Sequence, residues 1–287
     1  MNENKRNNSF ITCAGKDDGV GAQLIAILST ILFAHELGIQ YVHTPFRNIA
    51  HNDNNDLNFE HKWEISINIG FNELSINQID LNEITVICVN NITQVEIKDN
   101  TLYVIPHCHE FTKINPNKYS KLLERFFYKY EKAPTKSSLY FDSAKINIAI
   151  HIRRGDVIKD DKDRYTANCF YTKIITQLSD LLNELELEHT FHLYSEGIIE
   201  EFSEFNDDNI ILHLNECPFT TFHHLVSADV LVMAKSAFSY SAALFSKGIK
   251  IYLPFQHRAL KDWLVVRKNA CFNKDKLKKM VLQNKSL

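Results

Sequence analysis

From residue 146 onward the chain alternates short apolar runs with helical stretches, and this alternation limits its possible folds more than any other feature. A β-branched run at 146–152 precedes a polar loop and a helical stretch at about 169–187. Apolar runs at 191–194, 210–214, 230–233 and 249–253 follow, separated by helical stretches from about Gly197, at 219–227 and at 238–247. Apolar runs this short, bounded by polar segments, read as strands buried on both faces of a parallel sheet. Strands alternating with helices are β-α-β units, so the expected fold class is α/β with a Rossmann-like second half. Only 8 Gly and 6 Pro in 287 residues argue against a turn-rich all-β fold.

The first half is less regular. Strands are expected at 10–13, 40–43, 85–89 and 102–105, with a long helix at 23–37 and another at 118–130. The Asn-rich piece 48–58 reads as a loop, and 64–75 is ambiguous between helix and strand. A polar segment with Pro134, residues 131–138, marks the expected boundary between an N-terminal α/β domain, 1–138, and a C-terminal one, 139–287. In two such domains a ligand is expected in the cleft between them, at the carboxyl ends of the strands. The stretch 22–34 is the most apolar, but Gln23, Ser29 and Thr30 interrupt it, which fits a buried helix better than a membrane span.

Charge and cysteine usage narrow the class. Thirty-two basic against thirty-five acidic residues give a net charge of −3. No general positive field exists for a nucleic acid, so an anionic partner must meet a local cluster. Cys13, Cys88, Cys108, Cys169, Cys217 and Cys271 form no C-x-x-C pair and read as reduced thiols, hence a cytoplasmic protein. The first residues carry charge but no following apolar core, so no secretory signal is expected.

Four segments could carry chemistry. His151-Ile152-Arg153-Arg154-Gly155-Asp156 leaves a strand at its carboxyl end, where two planar guanidinium groups can meet phosphate oxygens. The alternative is a surface ion pair between Arg154 and Asp156. In the second segment, 227–240, a strand ends and Ser236, Phe238 and Ser239 sit at the head of a helix. There N–H groups and hydroxyls bind an anion, or Ser236 merely caps its own helix. Tyr194 and Glu196 close the strand between these two; the carboxylate meets a sugar hydroxyl or an arginine, or simply starts a helix. Finally, Gly15, Gly19 and Gly21, with Gln23, join the first strand to the first helix, and permit close approach to a ligand or form a plain tight turn. The segment is neither a dinucleotide fingerprint nor a P-loop.

Weaker signals have duller readings. Asp161-Lys162-Asp163 is literally D-x-D but lies in a charged loop, so a solvated loop is expected. His107-Cys108-His109-Glu110 lacks a second ligand cluster and is a poor zinc site. His223 and His224 are expected at the surface or in packing. The basic carboxyl end (Arg267, Lys268, Lys274, Lys276, Lys278, Lys279, Lys285) either touches anionic lipid or forms a terminal helix packing back on the first domain.

His-Ile-Arg-Arg-Gly-Asp at 151–156 resembles the H-x-R-R-G-D motif of the fucosyltransferase superfamily, most closely the bacterial α-1,2-fucosyltransferases. Ala-Lys-Ser-Ala-Phe-Ser-Tyr at 234–240 is similar to that family's N-S-S-F-S-W segment, with Lys235 where Asn is usual. Phe170 and Tyr171 resemble its paired aromatics. Residues 18–23 are similar to its G-G-x-G-N-Q, with Asp18 for Gly and Ala22 for Asn. The resemblance spans roughly residues 15–255 and is dense only in the second half. It implies a GT-B fold, two Rossmann-like domains facing a central cleft, and an inverting glycosyltransferase that needs no metal or other cofactor. The donor implied is a GDP-sugar, foremost GDP-fucose, and the acceptor a saccharide or glycolipid; the alternatives are another nucleotide sugar on the same fold, or a non-catalytic nucleotide- or glycan-binding module, and the basic C-terminus leaves the inner face of a membrane open as the place of action. It implies that Arg153 contacts the diphosphate and Arg154 neutralises the departing nucleotide. Ser236, Phe238 and Ser239 would close the pocket, Tyr194 or Glu196 border it, and His151, Gly19, Gly21 and Gln23 complete the donor site. Asp156, Asp18, His43 and Asp160-Asp161 remain candidates for the base.

Overall fold

The computed structural model describes residues 8–52, 55–91, 95–108, 120–161 and 163–284. The chain divides into two compact units, Met1–Thr135 and Lys136–Leu287.

In the first unit, β1 (Ser9–Thr12), α1 (Val20–Leu37), β2 (Gln40–His43), α2 (Phe59–Ile67), β3 (Leu74–Ser75), β4 (Thr85–Cys88), β5 (Thr101–Val104) and α3 (Ser120–Glu131) follow in order. The sheet order is β3-β2-β1-β5-β4 and every pairing is parallel, with Ile11 opposite Tyr41 on one side and Tyr103 on the other. Parallel neighbours need a crossover, and α1 supplies the one from β1 to β2, packing on both. By length and composition α1 could cross a membrane, but most of it is buried in this unit. The hydroxyls that interrupt its apolar run are satisfied inside the helix, Ser29 donating to the Ile25 carbonyl at 2.7 Å and Thr30 to that of Ala26 at 2.9 Å. Gly38, at φ 67°, ends it with its N–H on the Ala34 carbonyl, a left-handed cap that glycine takes without strain.

The ambiguous stretch 64–75 contains both structures. Helix α2 ends at Asn68, also left-handed at φ 57°, and the chain turns into β3. Buried Lys129 of α3 braces that turn, donating to the Ile69 carbonyl at 2.8 Å and pairing with Glu73 at 2.5 Å. Burial pulls its pKa down while Glu73 opposes the shift.

The second unit begins with β6 (Ile146–His151), α4 (Asn168–Glu184), β7 (His189–Ser195), β8 (Ile210–Leu214) and α5 (Pro218–Ser227). It continues with β9 (Val230–Val232), α6 (Ala237–Phe245), β10 (Ile249–Tyr252), β11 (Leu264–Val265) and α7 (Lys274–Asn284). The helix expected near Gly197 is only a single 3₁₀ turn, Ile199–Phe202. The sheet order is β11-β10-β9-β6-β7-β8, again wholly parallel. From β6 the chain moves outward through β7 to β8; from β9 it moves the other way through β10 to β11. The reversal lies between β6 and β9, and their carboxyl ends open the crevice where such sheets bind ligands. Of the two inner strands, β9 is wholly apolar and β6 is apolar between Asn147 and His151; Ile148, Ile150, Val230 and Val232 are buried in one core with Phe191, Leu193 and α4 residues Ile174, Leu178 and Leu182.

Helix α7 lies over β10 and buries Leu277 and Val281 in the core of its own unit. Its basic face is partly engaged as well: Lys278 pairs with Glu184 at 2.5 Å, and Lys276 donates to the carbonyls of Lys261 and Trp263. Lys285 lies outside the described residues. All six cysteines are free thiols.

Candidate functional site

The arginine loop leaves β6 at the reversal point. Ile152 still belongs to the sheet, its N–H on the Tyr194 carbonyl and its own carbonyl held by Ser195 Oγ at 2.8 Å. The next residues turn outward and behave differently from one another. Arg153 makes a two-point ion pair with Asp156, Nε to Oδ1 at 3.1 Å and Nη2 to Oδ2 at 2.6 Å. The ion pair foreseen for Arg154 thus belongs to Arg153. It occupies both oxygens of Asp156, so that carboxylate is held as a partner of a cation and is poorly placed as a base.

Arg154 is buried, at 9% exposure, and forms no carboxylate ion pair among the described residues. Its Nη1 donates to the Arg153 carbonyl at 2.8 Å; its Nη2 donates to the Thr166 carbonyl at 3.1 Å and to Asn168 Oδ1 at 2.6 Å. The guanidinium carbon lies 4.3 Å from the centre of the Tyr165 ring. All these partners are neutral. They fix the group and leave its charge uncancelled, and a charge buried that way is costly unless an anion completes it.

Gly155 follows with φ +72°, a conformation that other residues enter only with strain. A Cβ there would sit 1.9 Å from Glu196 Oε2, so the Glu196 carboxylate lies directly against the loop backbone. The expected meeting of the strand exits of β6 and β7 is therefore present. Tyr194 does not take part in it. Side chains alternate along β7, and Tyr194 points into a buried polar layer with His192, where its hydroxyl meets His224 Nδ1 at 2.6 Å and its ring stacks on His213 at 4.5 Å.

Across the reversal, the head of α6 stands beside this loop. Ser236 caps the helix, its Oγ accepting from the Phe238 N–H at 3.2 Å. Ser239 is fully buried, and its Oγ accepts from the Ala234 N–H at 3.2 Å. Both hydroxyls thus hold their own turn, the capping role weighed for Ser236 in the sequence. Phe238 sits with its ring 5.7 Å from His151 and 5.5 Å from Phe222. Burial pushes the His151 imidazole down to about 3, helped by Arg153 and opposed by Asp156, so the ring is neutral. Its Nδ1 is buried without a hydrogen-bond partner among the described residues.

In the first unit, Gly19 is the N-cap of α1 with an ordinary φ of −60°, Gly21 is buried in the first turn, and Gly15 alone in that loop needs a positive φ, +84°. Gln23 is a brace: its Nε2 donates to the carbonyls of Asp18 at 3.0 Å, Arg47 at 3.0 Å and Asn48 at 3.4 Å. Asp18 pairs with Lys16 at 3.1 Å. His43 is engaged at both ring nitrogens, Nε2 with Glu64 at 2.6 Å and Nδ1 with the Tyr41 hydroxyl at 3.2 Å, which leaves it badly placed to accept a proton from a ligand.

Among the described residues no group of three His, Cys, Asp or Glu could hold a metal ion. His109 and Glu110 of the His107 cluster, and Lys162 of the D-x-D, lie outside them. Asp161 accepts from the N–H groups of Asp163 and Arg164, as in a closed turn.

Sequence reasoning missed the two supports of Arg154, Tyr165 and Asn168, and a buried histidine layer. In that layer His192 Nδ1 meets His213 Nε2 at 3.0 Å, and His224 Nε2 meets the Ser138 carbonyl at 2.9 Å. Burial, then the neighbouring histidines, pushes His192 down to about 4; burial, then Lys136 and His224, does the same to His223. The signal was available: His192 and Tyr194 alternate on β7, and paired β8 places His213 opposite Tyr194.

No family model and no curated protein matches this chain. Among solved structures it is similar to the fucosyltransferase NodZ from Bradyrhizobium, with 11% identity, a TM-score of 0.49, and 92% of this chain and 97% of that one covered. It is also similar to POFUT1 in complex with GDP-fucose (11%, 0.40, 85% and 96%) and to the E. coli heptosyltransferase WaaC with ADP (10%, 0.41, 97% and 98%). At these identities the chemistry of the site rests on the chain's own residues.

Proposed function

We propose that this protein is a metal-independent, inverting glycosyltransferase of GT-B type that transfers fucose from GDP-fucose to a saccharide acceptor. One observation carries the reading: a buried guanidinium, Arg154, whose described partners include no carboxylate, at the carboxyl end of β6 where the sheet reverses direction. When a nucleoside diphosphate departs from a sugar, negative charge grows on its β-phosphate. A fixed cation and a helix N-terminus aimed at that position stabilise it without a divalent metal. Arg154 supplies the cation and α6 the helix terminus. Arg153, paired to Asp156 through Nε and Nη2, has Nη1 left for a contact with the diphosphate, and neutral His151 with Phe238 offers a partly apolar wall for the nucleotide. The resemblance of residues 151–156 and 234–240 to fucosyltransferase motifs supports guanosine and fucose over other donors. Action in the cytoplasm, on a saccharide or glycolipid acceptor at a membrane face, belongs to the same proposal.

A second reading, a silent nucleotide-binding module, is favoured by one feature: Asp156 and His43, two candidate bases, are each held by partners at both polar atoms. Turnover separates the two. The test is thermal stabilisation and nucleotide release with GDP-, UDP-, dTDP- and CMP-sugars, each with and without EDTA. GDP release from GDP-fucose that is insensitive to EDTA and lost in Arg154→Ala supports the transferase. Stabilisation by GDP with no release from any donor supports the binding module. Wild-type turnover in a folded Arg154→Ala variant refutes the role of the loop.

A further inference from the structure

We infer that Asn168 and Tyr165 are positioning residues that aim the Arg154 guanidinium while deliberately leaving its charge unneutralised for an anionic leaving group. The inference rests on the reading of Arg154 given above.

A guanidinium has five N–H donors in a rigid fork. Three are taken, one to the Arg153 carbonyl, one to the Thr166 carbonyl and one to Asn168 Oδ1. Nε–H and one Nη1–H remain, on different sides of the fork, each able to donate singly to an oxygen. Asn168 cannot be turned the other way. It is the first residue of α4, and its Nδ2 donates to the Glu201 carbonyl at 2.6 Å, an atom that only accepts. The amide oxygen must therefore face the arginine. Tyr165 closes the flat side of the fork at 4.3 Å, so the group can neither slide nor tilt.

The identity of the residue matters as much as its place. An aspartate at 168 has nearly the same shape; it gives up the donor to the Glu201 carbonyl, and its carboxylate on Nη2 would form a charge-assisted pair inside a buried pocket. Such a pair stabilises the arginine and removes its pull on a phosphate. The amide supplies the geometry without that cancellation.

The experiment compares Asn168→Asp, Asn168→Ala, Tyr165→Phe and Tyr165→Leu with wild type, in three readouts: binding of inorganic pyrophosphate, binding of GDP, and kcat and KM for GDP release from GDP-fucose. Circular dichroism confirms the fold of each. Asn168→Asp is expected to weaken pyrophosphate and GDP binding by about tenfold or more. Asn168→Ala, which frees the fork but keeps its charge, should change binding by less than about threefold and lower kcat by about tenfold with KM little changed. Tyr165→Phe keeps the stack and behaves as wild type; Tyr165→Leu loses kcat. Equal binding defects in Asn168→Asp and Asn168→Ala mean a merely structural contact and overturn the inference, as does wild-type kcat in Tyr165→Leu. Should the folded protein bind pyrophosphate but release no GDP from GDP-fucose, the fucosyl reading fails, and the pyrophosphate comparison of the two Asn168 variants still decides this inference. A wild-type protein that binds neither pyrophosphate nor GDP overturns both.

Discussion

Replacing Gly155 with alanine probes the arginine loop through two separable costs. The first is local: at φ +72° an L-residue pays on the order of 1–2 kcal/mol for the contact between its Cβ and the backbone. The second is steric. The new Cβ falls 1.9 Å from Glu196 Oε2 and 2.7 Å from its Cδ, so the carboxylate must leave. Glu196 is a flexible side chain, and its displacement adds on the order of 1 kcal/mol, the scale of coupling between residues in contact. Gly155→Ala alone should therefore cost about 2–3 kcal/mol, and about 1–2 kcal/mol when Glu196 is already alanine. The assay is urea unfolding of wild type, both single variants and the double. The two tryptophans allow the second unit to be followed by itself, since Trp63 lies in the first unit and Trp263 in the second; a Trp63→Phe background isolates the Trp263 signal. An equal cost of Gly155→Ala in both backgrounds would show that the carboxylate does not lie against the loop. No cost in either would refute the left-handed conformation itself.

Acid should weaken the protein before its carboxylates titrate. His192 and His223 are held neutral with pKa values near 4, and His151 near 3, against an ordinary 6.5. The unfolded chain then binds more protons between these values, so stability is full above about pH 6.5 and falls as pH drops through the window toward 4. Each of the first two contributes up to about 3 kcal/mol; an unfolding midpoint unchanged from pH 7 to 4.5 would contradict this. Ser236→Ala removes a helix cap and should cost about 1 kcal/mol with GDP affinity unchanged, measured by thermal shift with and without GDP. Tyr194→Phe deletes a buried hydroxyl bonded to His224 and should cost about 1–2 kcal/mol, again without loss of GDP affinity. A selective loss of GDP binding in either variant would restore that residue to the ligand site.

Most of the α/β pattern could be read in the sequence because its central parallel strands carry short runs of buried apolar residues, as at Ile148–Ile150 and Val230–Val232. β2 and β8 fall on the expected residues, and β6, β9 and β10 differ from theirs by one residue at the end. Short or amphipathic pieces were harder. β11 has two residues, too few to form a run, and 64–75 mixes a helix end, two Asn-containing turns and a strand. The site was legible in outline, since a double arginine at a strand exit has few structural uses. Its internal pairing was not. Arg153 and Arg154 are chemically identical, and which one meets Asp156 depends on the turn that Gly155 permits. The supports of Arg154 arrive eleven and fourteen residues later, one from a loop without periodicity and one from the first residue of α4. Ser236 shows the opposite limit, because a cap and a ligand contact require the same residue in the same place.

The sheet order also bears on how the protein is made. β6 is bordered by β7, about forty residues downstream, and by β9, about eighty residues downstream. During synthesis the first border can be closed early, while the other edge of β6, lined by Ile148 and Ile150, waits open until Val230 has left the ribosome. An unpaired apolar edge invites pairing with another chain, and long-range parallel closure is slow. Arginine motif and helix head become neighbours only at that closure. A nascent chain arrested before Val230 would carry every residue of the arginine loop, yet would have no crevice in which to use it.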